Sequence, residues 1–153
     1  MRTLIKNGTI VTAVDTYKAD LWIEDATIVA ITQVGTALGT ADKTIDATGK
    51  YLLPGGIDGH THLDMPFGGT VTIDDVESGQ TAAAFGGTTT HVDFIIQPQG
   101  SSFADAIADW RSKAAGKQVI DMGYHMAVTD LRDGGTLEEL ASLPDQEIRR
   151  AHV

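Results

Sequence analysis

The spacing of apolar residues changes character at Pro54, and that change limits the folds open to this 153-residue chain. After Pro54, strand-like runs alternate with stretches of helical period. A short apolar run ends at His62, and a helix is expected from about Ile73 to Phe85, with Thr72 and Asp75 at capping-box spacing and Gly86-Gly87 as its stop. Thr88 to Ile96 is rich in β-branched residues. Beyond Ser102, the residues Phe103, Ala106, Ile107, Trp110 and Ala114 fall on one face of a helix that Gly116 ends. Val119 to Val128 predicts a third strand, with Ile120, Met122, Tyr124, Met126 and Val128 on one side, and Thr136-Leu137-Glu138-Glu139 opens a third helix. Strand, helix and strand in strict alternation predict an α/β fold with a parallel sheet and crossover helices. In such sheets, sites form at the carboxyl ends of the strands.

Residues 1–54 follow a different pattern. Leu4 to Thr12 reads as two strand pieces around Asn7-Gly8, a strong local hairpin signal. Asp20 to Asp25 and Thr27 to Ile31 predict a second hairpin, and Lys43 to Ala47 and Lys50 to Leu53 complete the set. Short strands with turns between them predict a small β-sandwich or barrel layer. The expected division is therefore a β-sandwich portion at 1–54 and a β/α portion at 55–153.

Composition narrows the chemistry. The net charge of −10 and the lack of any Lys/Arg run argue against nucleic acid and anionic membrane surfaces as partners. The chain has no cysteine, so disulfides and thiolate metal sites are excluded, and any metal must sit on histidine or oxygen ligands. The N-terminal residues lack a signal-peptide pattern, and no run approaches the roughly 20 apolar residues of a membrane span. A cytoplasmic protein is expected.

His60 and His62 lie one residue apart at the end of the first strand after Pro54. Alternation places both side chains on one face, their α-carbons about 7 Å apart. Two imidazoles so placed can converge on one ion, and neutral imidazole nitrogens suit zinc and similar divalent metals. Asp58 shares that face, either orienting a ligand from behind or capping a turn. Asp64 is expected to be solvated. Met65-Pro66-Phe67-Gly68-Gly69-Thr70 reads as a loop with an apolar tip, either a wall for a small substrate or ordinary loop packing. His91 and His125 fall inside strands, where hydrogen-bonded core histidines outnumber ligands, and Asp93 requires a partner that the sequence does not identify. His152 reads as free. Gly86-Gly87-Thr88-Thr89-Thr90 lacks the lysine and spacing of a phosphate loop, and no GxSxG nucleophile is present.

Lys6-Asn7-Gly8, Ile45-Asp46-Ala47-Thr48-Gly49-Lys50 and Pro54-Gly55-Gly56-Ile57-Asp58-Gly59-His60-Thr61-His62 resemble the opening of an amidohydrolase-superfamily enzyme. Pro66-Phe67-Gly68-Gly69-Thr70, Gly86 to Thr90, Trp110 to Ala114 and His125 to Thr129 narrow the resemblance to dihydropyrimidinases and D-hydantoinases. It runs to about Ile148. The resemblance implies a flanking β-sandwich and a TIM-type (β/α)8 barrel, of which this chain would hold the first three βα units. It implies a binuclear zinc centre whose first-strand ligands match His60 and His62. It also implies a metal-bound hydroxide that opens a dihydropyrimidine or hydantoin ring at its cyclic amide. Met65 and Phe67 match the loop that shapes the substrate pocket, and relatives of this kind are usually homotetramers.

The family's bridging carboxylated lysine is expected near residue 150, where the chain reads Glu147-Ile148-Arg149-Arg150-Ala151-His152-Val153 instead. The general-base aspartate and the remaining ligands are also missing, so the catalytic residues cannot be assigned within this chain. A closed barrel needs about 200 residues or more. An incomplete barrel, inactive by itself, is the expectation. The alternatives are a non-catalytic dihydropyrimidinase-like scaffold and a dihydroorotase or allantoinase relative.

Overall fold

The computed structural model describes residues 1–131, 133–146 and 148–151. The side chains of 133–136 and 145–151 are outside that description, as is His152 altogether. The chain divides into two compact units, Met1–Pro54 and Gly55–Val153.

The first unit is one five-stranded mixed sheet. Strands β1 (Arg2–Val11), β2 (Thr16–Glu24) and β3 (Thr27–Thr32) pair antiparallel in the order β3-β2-β1. Strands β4 (Lys43–Asp46) and β5 (Tyr51–Leu52) both pair parallel to β1, at Thr3–Lys6 and Thr9–Ile10. They follow one another along a single edge, so the sandwich expected from the strand count is replaced here by one sheet. The expected hairpin at Asn7-Gly8 is also absent, because β1 runs straight through it. Register slips between Ile5 and Gly8, so that Lys6 and Asn7 together face Asp20. Asn7 takes φ 63°, and its main-chain N–H donates to Asp20 Oδ1 at 2.8 Å. An asparagine tolerant of left-handed backbone suits a bulge as well as it suits a tight turn. The Asp25 turn between β2 and β3 forms the hairpin expected there.

The second unit is built on a parallel sheet with strand order β11-β10-β9-β6, comprising β6 (Gly56–Thr61), β9 (Thr88–Ile96), β10 (Asp121–Ala127) and β11 (Ile148–Ala151). Helices α1 (Val76–Phe85), α2 (Phe103–Ala114) and α3 (Asp133–Ser142) fill the crossovers. Each strand lies beside the next in sequence, with no reversal of direction. Four strands do not close a barrel. The short strand β11 was not anticipated.

The α2 stripe works as its spacing predicts. Phe103, Ala106, Ile107, Trp110 and Ala114 are all buried. The first four pack with Ile95 of β9, Tyr124 and Met126 of β10, and Leu143 after α3. Each large side chain so buried stabilises the fold by about 1.5–3 kcal/mol. Ser102 caps the helix by accepting from Asp105 N. Helix α1 starts later than expected because Asp75, not Thr72, is its N-cap, and it exchanges capping bonds with Ser78. Helix α3 starts at Asp133, ahead of the expected Thr136.

Candidate metal centre

The carboxyl end of β6 departs from regular pairing. Asp58 lies opposite His91 and Thr61 opposite Asp93, so two residues of β6, Gly59 and His60, face one of β9. A bulge of this kind re-aims side chains, which is why such features gather beside functional sites. Here His60 Nε2 and His62 Nε2 lie 3.0 Å apart. The rings meet edge-on at 85°, with centroids 4.9 Å apart. A tetrahedral zinc ion with Zn–N bonds near 2.0–2.1 Å holds two nitrogens about 3.3 Å apart. The pair is therefore close to a chelating separation without large movement. Phe94 of β9 backs both rings, with centroids at 4.4 Å from His60 and 5.1 Å from His62.

Burial, and then the neighbouring His60 ring, push the His62 pKa below the ordinary imidazole value. A neutral ring keeps the lone pair that a cation needs. Asp58 makes no hydrogen bond to an imidazole among the described residues. Its Oδ1 accepts from the His60 main-chain N–H at 3.1 Å, and so it steadies the bulge rather than a ring. His62 Nδ1 is buried and has no hydrogen-bond partner among the described residues. Nor do three or more histidines and carboxylates gather around an ion-sized point among those residues. The two nitrogens suit a divalent cation in kind and in separation, and they number two of the roughly four ligands such an ion takes.

Behind this pair lies a buried polar network. Thr61, between the two histidines, contacts His91 Nδ1 through its hydroxyl at 2.8 Å. His91 is 2% exposed, and its Nε2 meets Gln80 Nε2 at 2.8 Å. Gln80, fully buried on α1, accepts from Val119 N and Ile120 N through Oε1 at 2.6 and 3.0 Å. Burial lowers the His91 pKa, while Asp58 pulls the other way. Asp93 Oδ1 accepts from Leu63 N at 3.2 Å and lies 3.4 Å from the Thr61 hydroxyl. Its Oδ2 meets no partner of hydrogen-bond geometry. Burial drives the Asp93 pKa up to about 6, against the pull of those donors. Asp93 is thus met by main-chain N–H groups, the Thr61 hydroxyl and, more loosely, the Trp110 indole.

The segment after His62 folds back as a short hairpin of β7 (Pro66–Phe67) and β8 (Thr70–Val71). Gly68 and Gly69 turn it with φ of 58° and 83°, the positive pair of a type I′ turn. Phe67 stands 74% exposed at its tip, whereas Met65 packs against the α2 core. Asp64 is partly buried rather than solvated, 3.9 Å from the Lys117 ammonium. His125 Nδ1 is buried without a hydrogen-bond partner among the described residues, and the ring lies 5.0 Å from Phe94. Phe94 therefore stands between His125 and the histidine pair. Gln80 escaped notice in the sequence. Its signal was position: with Val76 it marks the buried face of α1, where a polar residue must find partners.

Known proteins similar to this chain share one kind of name. A D-hydantoinase of Geobacillus stearothermophilus is 54% identical over 147 residues, which are 96% of this chain and 31% of that protein. The crystal structure of a dihydropyrimidinase from Brevibacillus agri NCHU1002 superposes with a TM-score of 0.89 at 55% identity, again covering 96% of this chain and 31% of its own. Over nearly its whole length this chain is similar to part of the D-hydantoinases and dihydropyrimidinases. A dihydropyrimidinase of Arabidopsis thaliana is 47% identical over 133 residues, 87% of this chain and 24% of that protein. No protein-family model matches the chain. This chain spans about 31% of the length of the hydantoinase and dihydropyrimidinase it matches.

Proposed function

We propose that this chain is of the hydantoinase family and supplies the two-histidine arm of a divalent-metal centre that opens hydantoin or dihydropyrimidine rings. The observation that carries the reading is the approach of His60 Nε2 to within 3.0 Å of His62 Nε2 at the carboxyl end of a parallel strand. Zinc is the ion proposed, from the imidazole donors. Such an ion polarises a carbonyl and acidifies a water. The residues of this chain would hold and shape the site. His60 and His62 present lone pairs, Asp58 fixes the His60 main chain, and Phe94 keeps water from the rear of both rings. Phe67, exposed on a stiff hairpin, is proposed as an apolar contact for the ring substituent. Met65 would support that hairpin from the core side. The barrel would be completed by strands beyond the four described here.

The test is a chimera in which residues 1–148 replace the matching segment of the Geobacillus stearothermophilus D-hydantoinase. It should open hydantoin and 5,6-dihydrouracil, and His60→Ala or His62→Ala should abolish turnover. A folded chimera that stays fully active without either histidine would refute the reading. Zinc uptake without turnover in the unaltered chimera would favour a non-catalytic scaffold.

A further inference from the structure

We propose that His91, oriented by Gln80, is a positioning residue that fixes Thr61 and thereby holds the His60 and His62 rings together. The inference rests on the metal reading above only for what the two rings do once converged.

Proton bookkeeping along the network allows one arrangement. Val119 N–H and Ile120 N–H can only donate, so the Gln80 atom facing both is its carbonyl oxygen. The atom facing His91 is then the Gln80 amide nitrogen, which has no lone pair to offer and must donate. His91 Nε2 is therefore the acceptor and carries no proton. The neutral ring holds its proton on Nδ1 and donates it to the Thr61 hydroxyl at 2.8 Å. The Thr61 hydroxyl in turn donates to Val92 O at 3.2 Å or Asp93 Oδ1 at 3.4 Å. Main chain at the entry to β10 thus dictates, through α1 and β9, which way a hydroxyl on β6 is held.

That hydroxyl matters because of where it sits. Thr61 follows directly on the Gly59–His60 bulge, and its side chain is turned to His91 while those of His60 and His62 meet one another. A one-residue slip in a strand turns every side chain to the opposite face. A bulged strand end has fewer ladder bonds to resist such a slip. The Thr61 bond to His91 is a fixed point within that stretch.

Two substitutions separate positioning from packing. His91→Asn can keep a donor toward Thr61 and loses the acceptor for Gln80. His91→Gln can keep the acceptor for Gln80 and loses the donor to Thr61. Each forfeits one buried hydrogen bond. NMR of the whole chain should show His91 protonated on Nδ1 and bare on Nε2, with ring-to-ring NOEs between His60 and His62. Those NOEs should survive in His91→Asn and vanish in His91→Gln and in Thr61→Val. Cobalt affinity, read from its visible absorption, should fall about 10- to 100-fold in His91→Gln relative to His91→Asn. A proton on Nε2 in the unaltered chain, or NOEs equally kept or equally lost in the two His91 variants, overturns the proposal. Should the unaltered chain bind no cobalt, the metal reading fails, and the tautomer and NOEs still decide the positioning role.

Discussion

Replacing Asp93 by asparagine should destabilise the second unit in acid and lose that penalty as pH rises to neutral. Asp93 is 1% exposed, and its carboxyl is raised from 3.8 to about 6 by burial. A carboxylic acid that holds its proton more tightly when folded favours the folded state only while that proton is bound. Its contribution is intact below about pH 4, falls as pH rises through 4 to 6, and is fully lost above 6. A shift of about two units corresponds to about 3 kcal/mol. Asparagine retains an oxygen for Leu63 N–H and never ionises. Its amide group, placed where Oδ2 lacks a partner, adds a cost of about 1–3 kcal/mol that does not vary with pH. Urea unfolding followed by Trp110 emission, in a Trp22→Phe background, measures the difference between variant and parent. Relative to pH 4, that difference should move toward stabilisation by about 2–3 kcal/mol at pH 7.5. Taking the difference removes the opposing trend of groups such as Asp46, held near 2 by Thr48 and Asn7. A difference constant across pH 4 to 7.5 would refute the buried, raised carboxyl.

Two further perturbations probe the scaffold around the histidines. Gly79→Ala ordinarily gains about 1 kcal/mol in a helix, but a Cβ here would overlap the Leu63 side chain. Thermal melting should show a loss of about 1–3 kcal/mol, turning to a gain in a Leu63→Ala background. Asp75→Ala removes the α1 cap and the Lys117 partner at 3.1 Å, and should cost about 1 kcal/mol by urea titration, with Asp75→Asn costing less.

What could be read from sequence was what depends on local period. The α2 stripe, the Asp25 hairpin and the parallel alternation after Pro54 each follow from spacing within about a dozen residues. Asn7-Gly8 misled because left-handed backbone serves a bulge and a turn alike, and only the partner strand decides which forms. The helix start at α1 was misplaced because Asp75 and Ser78 offer a better reciprocal cap than Thr72. Strand β11 is four residues long, too short to announce itself. The histidine pair was legible from its i, i+2 spacing. The Gln80–His91–Thr61 chain was not, because its members lie 11 and 30 residues apart and meet only through the sheet.

The most direct test of the histidine pair is zinc binding to the chain itself. Equilibrium dialysis followed by metal analysis should find one weakly held zinc per chain, lost in His60→Ala and again in His62→Ala. Uptake unchanged when both histidines are replaced, or no uptake by the unaltered chain, would contradict the account.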